Sequence, residues 1–508
     1  MAFLPPAAAT AQDGLAPVIA KIAGNGDQVA RFYQERHYAP LWTSADAAVR
    51  LQVFLRAIAT ASDHGLPTAR YDADRLDRQI RAAATPQDVA QVEVDLTRAF
   101  LAYAHDLRSG AVVPSRVDAT IVRDVSRREP LTELAAFEAD PAGFLRELPP
   151  QDPEYARLMN AARTLRAADW GDTVPGAILR PGQSGGGVIA LRDRLVAMGY
   201  LGRSAAAGYD EPLRNAVVRF QTDHGLSADG VAGEATLAAL NAGPDARLRS
   251  VLVALERHRW MNADRGARHI WVNLADFTTQ IIDHGEVVFE TRSVIGKEVP
   301  DQRTPEFSDI MDHMVINPSW FVPRSIVTQE YLPQLQRNRN AVSHIQVVDA
   351  KGRVVDRGAV NFGAYTARSF PFSMRQPPSD RNALGLVKFM FPNKWNIYLH
   401  DTPSKSLFER TERAFSHGCV RLADPFDFAF ALLSAQEANP EAAFRKILAT
   451  GKETRVNLAA PLPVHLVYFT AVAPAGGRVN YRPDIYGRDA AIWDALDAAG
   501  VALNEVQG

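Results

Sequence analysis

The spacing of apolar residues changes once along the chain, near residue 265, and this change limits what the chain can fold into. Before it, segments such as AAVRLQVFLRAIATASDHGLP (47–67) repeat apolar residues at helical spacing and end at a Gly/Pro stop. After it, HIWVNLADFTTQIIDHGEVVFETRSVIG (269–296) alternates apolar and polar residues around a His284-Gly285 turn. The sequence therefore predicts a multidomain α+β protein, with helical domains first and a β-rich domain after them.

A glycine-rich linker divides the helical part of the chain. This linker, RPGQSGGG (180–187), separates a long helical region from a small three-helix unit. Aromatic residues at helical spacing in the long region, Tyr33, Trp42 and Tyr103, are expected in the core rather than in a groove. The expected parts are an N-terminal tail (1–26), a helical scaffold (27–178), the three-helix unit (179–243), a linker helix (244–264) and the β-rich domain (265–508).

Composition excludes several classes of protein. The 508 residues carry a formal net charge of −2, which argues against a dedicated nucleic-acid binder. The single cysteine, Cys419, excludes an internal disulfide and a four-cysteine metal site. The N-terminus lacks the basic and apolar regions of a signal peptide, so we expect a mature form. The most apolar window, residues 458–477, is rich in β-branched and aromatic residues and predicts a buried strand rather than a membrane span.

The neighbourhood of the cysteine contains the candidate chemistry. Strand alternation in residues 396–400 places Tyr398 and His400 on one face. A catalytic thiol needs a base or cation, so His400 is the expected partner and the main source of thiolate stabilisation. Backbone N–H groups of the turn His417-Gly418-Cys419 are candidates for an oxyanion hole. Two alternatives remain open: an inert core cysteine, and a zinc site built from His400, His417 and Cys419.

A helix is expected to begin shortly after the cysteine. Asp424-Pro425 combines a preferred N-cap residue with a proline at the first helical position. Cys419 lies five residues before the cap, so the helix dipole should contribute little to the thiolate.

Several strings resemble known cell-wall proteins. FQTDHGLSADGVAGEATLAALN (220–241) resembles a peptidoglycan-binding domain, although a generic three-helix bundle stays open. His400 followed by SHGCVR (416–421) resembles the signature of the L,D-transpeptidase (YkuD-type) catalytic domain. Further strings are similar to its long Gram-negative, YcbB-like branch: NPSWFVPRSI (317–326), NALGLVKFMFPN (382–393), IYLHDTP (397–403) and NYRPDIYGRD (480–489).

The resemblance implies a function and a set of roles. A cysteine thioester enzyme would take a tetrapeptide donor, release D-Ala and form 3→3 cross-links in peptidoglycan. Arg421 stands where many family members have asparagine, and it would hold the loop or a substrate carboxylate. The implied residues are Cys419 as nucleophile, His400 as general acid/base, the Asp401 carbonyl orienting His400, the oxyanion N–H groups of His417, Gly418 and Cys419, and the substrate contacts Tyr398, Ser416 and Arg421.

The resemblance also implies an insertion, partners and a location. Residues 327–376 would form a substrate-capping lid, with a structural hairpin plus loop as the alternative. The expected partners are peptidoglycan stem peptides and glycan, and cell-wall synthases, in the periplasm of a Gram-negative bacterium. No nucleic acid, cofactor or metal is expected, and carbapenems should acylate the enzyme. The rival functions are an L,D-carboxypeptidase or amidase of the same fold, and a non-catalytic wall-binding scaffold.

Overall fold

The computed structural model describes residues 14–503. They form two compact units, one of residues 14–264 with 469–503 and the other of Arg265–Tyr468. The α-helices are α1 (Leu15–Ala23), α2 (Gln28–Glu35), α3 (Ala48–Ala59), α4 (Thr68–Tyr71), α5 (Ala73–Ala82), α6 (Pro86–Ser109), α7 (Pro114–Val117), α8 (Pro130–Ala139), α9 (Pro141–Glu147), α10 (Pro153–Arg166), α11 (Gly186–Ala197), α12 (Glu211–Asp223), α13 (Glu234–Asn241), α14 (Pro244–Trp260), α15 (Arg324–Ile326), α16 (Leu332–Arg337), α17 (Pro425–Leu433), α18 (Pro440–Leu448) and α19 (Arg488–Ala498).

The strands lie mainly in the second unit. They are β1 (Arg268–Asn273), β2 (Thr278–Asp283), β3 (Glu286–Gly296), β4 (Phe307–Ile316), β5 (Trp320–Phe321), β6 (Gln346–Val348), β7 (Ser373–Gln376), β8 (Val387–Met390), β9 (Leu399–His400), β10 (Ala414–Ser416), β11 (Val420–Leu422), β12 (Thr454–Val467), β13 (Ala471–Val472) and β14 (Asn480–Tyr481). The multidomain α+β class is thus confirmed, with helical segments before residue 265 and the main sheet after it.

Helices α1–α6, α8 and α9 enclose one aromatic core in the first unit. Tyr33, Trp42 and Tyr103 are all buried in this cluster, as expected for core aromatics rather than groove residues. The buried carboxylate of Glu93 accepts hydrogen bonds from the N–H groups of Leu41, Trp42 and Thr43. These bonds satisfy three backbone donors that have no helical partner and fix the loop before α3.

One predicted boundary and one predicted role in the first unit are wrong. The tail expected over residues 1–26 contains α1, which buries Leu15, Ile19 and Ala23 in the scaffold core, while residues 1–13 lie outside the described part. The expected linker helix is α14, in which every residue from Val251 to Trp260 is buried. Its apolar and charged side chains are covered on all sides, so α14 is a central helix of the unit and not a connector.

The C-terminal segment also departs from expectation. The domain predicted to end at residue 508 ends as a compact unit at Tyr468, and residues 469–503 join the first unit. There the Asp489 carboxylate pairs with the buried Arg257 of α14, and the Tyr481 ring stacks on His224 with ring centroids 5.4 Å apart. Residues 480–489 therefore belong to the helical unit, because their aromatic and charged side chains contact residues of that unit.

The three-helix unit has the predicted helices α11, α12 and α13 around its own core. The Gln221 side chain accepts from the Gly230 N–H at 2.8 Å and donates to the Val231 carbonyl at 2.9 Å. One amide thus fastens the Asp229-Gly230 turn to α12, which explains why glutamine and the turn occur together in this string.

The main sheet of the second unit closes on itself. Its order is β10-β3-β11-β9-β8-β4-β12-β1-β2, and β2 pairs again with β3. The apolar window 458–477 supplies most of β12, whose last residues are buried, so the buried-strand prediction is confirmed there. Within residues 14–503 no helix is long and apolar enough to cross a membrane.

The insertion contains a second, smaller sheet, in the order β5-β7-β6. It has a separate apolar core that includes Val322, Ile345 and Met374. Because β5 belongs to it, the insertion begins near Trp320 rather than at residue 327. We use the term lid for residues 320–376, which form a small folded subdomain and not a hairpin plus loop.

Candidate active site

Strand register brings four side chains to the face that carries the cysteine. Arg421 of β11 lies opposite His400 of β9, and Lys388 of β8 lies opposite the same histidine. The neighbouring residues Leu399 and Val420 are buried in the sheet core. Side chains alternate along a strand, so Tyr398 and Cys419, two positions before His400 and Arg421, share their face. We call this set, Lys388, Tyr398, His400, Cys419 and Arg421, the Cys419 face.

The His400 ring is held by a hydrogen bond to a backbone carbonyl. The carbonyl oxygen of Asp401 lies 2.5 Å from its Nδ1, and since a carbonyl only accepts, Nδ1 carries the proton. The Asp401 carboxylate is turned elsewhere, toward the Leu386 N–H at 2.9 Å and Lys405 Nζ at 2.7 Å. Burial, reinforced by the Arg421 charge, lowers the pKa of His400 to about 3. The ring is therefore neutral at neutral pH, with an unprotonated Nε2 that can accept a proton.

Cys419 is a half-buried thiol that is protonated at rest. Its Sγ contacts the Asn396 carbonyl oxygen at 3.6 Å, and no hydrogen bond joins it to His400 in residues 14–503. Burial raises the pKa of Cys419 to about 11, against opposing effects of hydrogen bonding to Tyr398 and of the Arg421 and Lys388 charges. A neutral imidazole carries no charge, so at rest the groups that favour the Cys419 thiolate are Tyr398, Arg421 and Lys388, and the role of His400 as partner of the thiol stays a prediction.

The loop before the cysteine is shaped by its own hydrogen bonds. Gly418 has φ +118°, and a Cβ there would lie 3.0 Å from Ile397 Cδ1, so a side chain would be strained and crowded. Ser416 Oγ accepts from the Gly418 N–H at 3.0 Å and donates to the Cys419 carbonyl at 2.5 Å. In this geometry the Gly418 N–H is taken and cannot also serve the predicted oxyanion hole, which leaves the N–H groups of His417 and Cys419.

The same bonds correct the substrate contact expected of Ser416. Its side chain is buried at the end of β10 and both of its hydrogen bonds stay within the loop, so it positions the loop instead. Similarly, α17 begins at Pro425 as predicted, but the Asp424 carboxylate accepts from Thr291 Oγ1 at 2.8 Å and makes no cap bond to the helix.

Several side chains at the site were not singled out from the sequence. Glu330 of the lid bonds His417 Nε2 through Oε1 at 2.7 Å, and Trp320 lies beside the Tyr398 hydroxyl. Lys388 could have been noticed, because it is a charged residue between buried strand neighbours. Nothing local in the sequence points to Glu330, whose role depends on how the lid folds. Among residues 14–503 no three His, Cys, Asp or Glu side chains are arranged to hold a metal ion.

Two cations on the Cys419 face form no ion pair among residues 14–503. Arg421 Nε is buried without a hydrogen bond, and residues 14–503 provide no ion pair for the Arg421 or Lys388 side chain. Burial lowers the pKa of both groups. Partly desolvated cations without an ion pair are suited to an anionic ligand, because such a ligand would restore the lost solvation.

The pH dependence of thiol alkylation should reveal the neutral resting state. With a thiol pKa of about 11, the thiolate fraction and the rate of Cys419 alkylation by iodoacetamide should rise ~10-fold per pH unit from pH 7 to about 10. His400, with a pKa of about 3, should cause no further change in the alkylation rate with pH above pH 5. Mass spectrometry of quenched samples gives the rates. A flat profile between pH 6 and 8 would indicate a thiolate–imidazolium pair and contradict this assignment.

Comparison with known proteins agrees with this domain order. Residues 267–440 match the family model "L,D-transpeptidase catalytic domain" (YkuD), residues 27–161 match "Scaffold domain", and residues 184–240 match "Putative peptidoglycan binding domain". A Haemophilus influenzae protein named "Putative L,D-transpeptidase" is 34% identical over 236 residues. That alignment covers 45% of this chain and 47% of the relative, so the chain spans about half the length of that protein.

Solved structures give weaker likenesses. An L,D-transpeptidase from Xylanimonas cellulosilytica is 17% identical with a TM-score of 0.17, covering 58% of this chain and 98% of the other. A fused Zn-dependent amidase/peptidase/peptidoglycan-binding protein from Clostridium acetobutylicum is 13% identical with a TM-score of 0.16, covering 57% and 100%. Scores of this size carry no argument about the fold. By its matched domains, the chain carries a catalytic domain of the L,D-transpeptidase family together with a scaffold domain and a peptidoglycan-binding domain.

Proposed function

We propose that the protein is a peptidoglycan L,D-transpeptidase that forms 3→3 cross-links through a thioester on Cys419. The observation that carries the proposal is the composition of the Cys419 face. It presents a half-buried thiol, a neutral imidazole held at Nδ1 by the Asp401 carbonyl, and two cations without an ion pair in residues 14–503. The thiol and the imidazole are the nucleophile and the base that acyl transfer needs, and the cations suit an anionic peptide.

In the first step, the Cys419 sulfur attacks the carbonyl carbon that joins the L-centre of a diaminoacyl residue to D-Ala in a tetrapeptide stem. The S–C bond forms, the C–N bond breaks, and His400 carries the thiol proton to the departing amine of D-Ala. Because the thiol has a raised pKa and the imidazole a lowered one, we expect proton transfer to accompany the attack rather than to precede it.

In the second step, the side-chain amine at the D-centre of a diaminoacyl residue in another stem attacks the thioester. The new C–N bond forms, the C–S bond breaks, and His400 passes the amine proton to the sulfur. The N–H groups of His417 and Cys419 would stabilise the oxyanion in both steps. Arg421 would bind a substrate carboxylate, and Tyr398, whose pKa is raised by burial, would stay protonated as a hydrogen-bond donor.

The lid would protect the thioester from water. Replacing Glu330 by alanine removes the 2.7 Å bond to His417 and should loosen the lid over the nucleophile. We expect the ratio of hydrolysis to amine transfer to rise roughly two- to fivefold, the size of one exposed hydrogen bond. The ratio of free tripeptide to cross-linked product measures it. Glu330→Gln, which keeps an acceptor for His417, is the matched control, and an unchanged ratio in Glu330→Ala would exclude this role.

The function itself is tested by incubating the protein with disaccharide-tetrapeptide and identifying the products by mass spectrometry. A transpeptidase yields a cross-linked dimer and free D-Ala in equal amounts. Free tripeptide without dimer would identify a carboxypeptidase, and unchanged substrate would favour a non-catalytic wall-binding protein. Glycan binding by residues 179–243, cell-wall synthase partners, a periplasmic location in a Gram-negative bacterium and acylation by carbapenems are parts of the same proposal.

A further inference from the structure

Lys388 reaches the Cys419 face because of its place in β8. Its strand neighbours Val387 and Phe389 are fully buried, so the lysine side chain points to the opposite side of the sheet. The β8–β9 register sets it directly opposite His400. Cross-strand neighbours of this kind have Cβ atoms roughly 5 Å apart, so Lys388 lies within side-chain reach of the catalytic histidine.

The Lys388 ammonium group lies over an aromatic ring and forms no ion pair among residues 14–503. Nζ is 5.9 Å from the centroid of the Tyr398 ring, and residues 14–503 offer it no hydrogen bond. Glu453 and the Cys419 thiol favour its charge from a longer distance. A half-buried ammonium that makes no hydrogen bond retains its donors for a ligand.

The other lysines near the site are different. Lys405 Nζ bonds the Asp401 carboxylate at 2.7 Å, so its charge is already paired. Lys394 is exposed and lies 4.6 Å from the centroid of the Trp395 ring. Lys388 differs from both, because its ammonium group is partly desolvated and forms no ion pair among residues 14–503.

We propose that Lys388 is a specificity-determining residue whose ammonium group binds a carboxylate of the peptide substrate next to Cys419. The proposal rests on the proposed function for the nature of the substrate, a peptide with free carboxylates. Lys388 and Arg421 flank His400 from the two neighbouring strands, so they can bind two separate carboxylates, one on each side of the histidine. Neutral amides at the same positions would be bound more weakly.

Two alkylating reagents of nearly equal size test the proposal without any peptide transfer. Iodoacetate carries a carboxylate and iodoacetamide a neutral amide, and both react with the same Cys419 thiolate. The ratio of their rates therefore cancels the thiolate fraction and reports the preference for an anion. In the unmodified protein this ratio should exceed that of glutathione under the same conditions. Lys388→Met should lower it roughly three- to tenfold, the range of one partly desolvated charge contact.

Controls separate the possible outcomes. Lys388→Arg should retain the ratio, and Lys394→Met, which removes an exposed lysine from a ring, should leave it unchanged. If Lys388 only lowered the thiol pKa, Lys388→Met would slow both reagents equally, and the proposal would be overturned. It would also be overturned if only Arg421→Met lowered the ratio, or if the unmodified protein showed no preference over glutathione. An absence of peptide transfer, which would refute the proposed function, does not affect this measurement.

Discussion

Cys419→Ala should abolish peptide acyl transfer, with a loss of at least about 10⁴-fold in rate, because no other thiol exists in the chain to form the acyl-enzyme. The change removes one half-buried sulfur atom, so the free energy of unfolding should fall by only about 1 kcal/mol. Product formation from disaccharide-tetrapeptide gives the rate, and thermal unfolding gives the stability.

Cys419→Ser is the size-matched control for this experiment. A hydroxyl is a far weaker nucleophile than a thiol near neutral pH, so serine should keep the fold and lose the transfer. If Cys419→Ala retained more than about 1% of the rate, a different residue would have to carry the acyl group. If the unmodified protein were itself inactive, the non-catalytic wall-binding alternative would gain support.

His400→Gln should lower the rate of acyl transfer about 10²- to 10⁴-fold, the usual contribution of a positioned general acid/base. Glutamine can still donate a hydrogen bond to the Asp401 carbonyl, so the local structure should be retained. It cannot carry a proton from the thiol to the departing amine. The measurement is the initial rate of D-Ala release at pH 7.

Alkylation by iodoacetamide distinguishes lost chemistry from lost structure in this variant. The reagent needs the thiolate but no proton transfer to a leaving group, so His400→Gln should change its rate at pH 10 by less than about threefold. A collapse of both D-Ala release and alkylation would mean that His400 supports the position of Cys419. Retained D-Ala release would contradict its role as the proton carrier.

The local features of the site followed from sequence, because they depend on neighbours along the chain. Alternation in one strand predicts that Tyr398 and His400 share a face, and their rings lie close together there. The string SHGCVR and the upstream histidine indicate the family. Helix α17 began at the expected proline for the same reason.

The remaining features depend on contacts between distant segments. Lys388 joins the site through the β8–β9 register, and Glu330 joins it through the fold of the lid. The resting charges of Cys419 and His400 are set by burial, which pattern alone does not measure. Residues 469–503 pack with the helical unit because Arg257 and other partners lie there, which their own periodicity does not reveal.

The most direct test of the account is to find the thioester itself. The protein is mixed with a tetrapeptide whose diaminoacyl side-chain amine is acetylated, so that the peptide can donate but cannot accept an acyl group. The sample is quenched in acid and digested with trypsin, which should release the peptide Ala414–Arg421. We predict that this peptide carries the tripeptide acyl group on Cys419, and that the adduct disappears as dimer forms when acceptor stem is added. Formation of dimer while Cys419 stays unmodified at every time point, or an acyl group on another residue, would contradict the account.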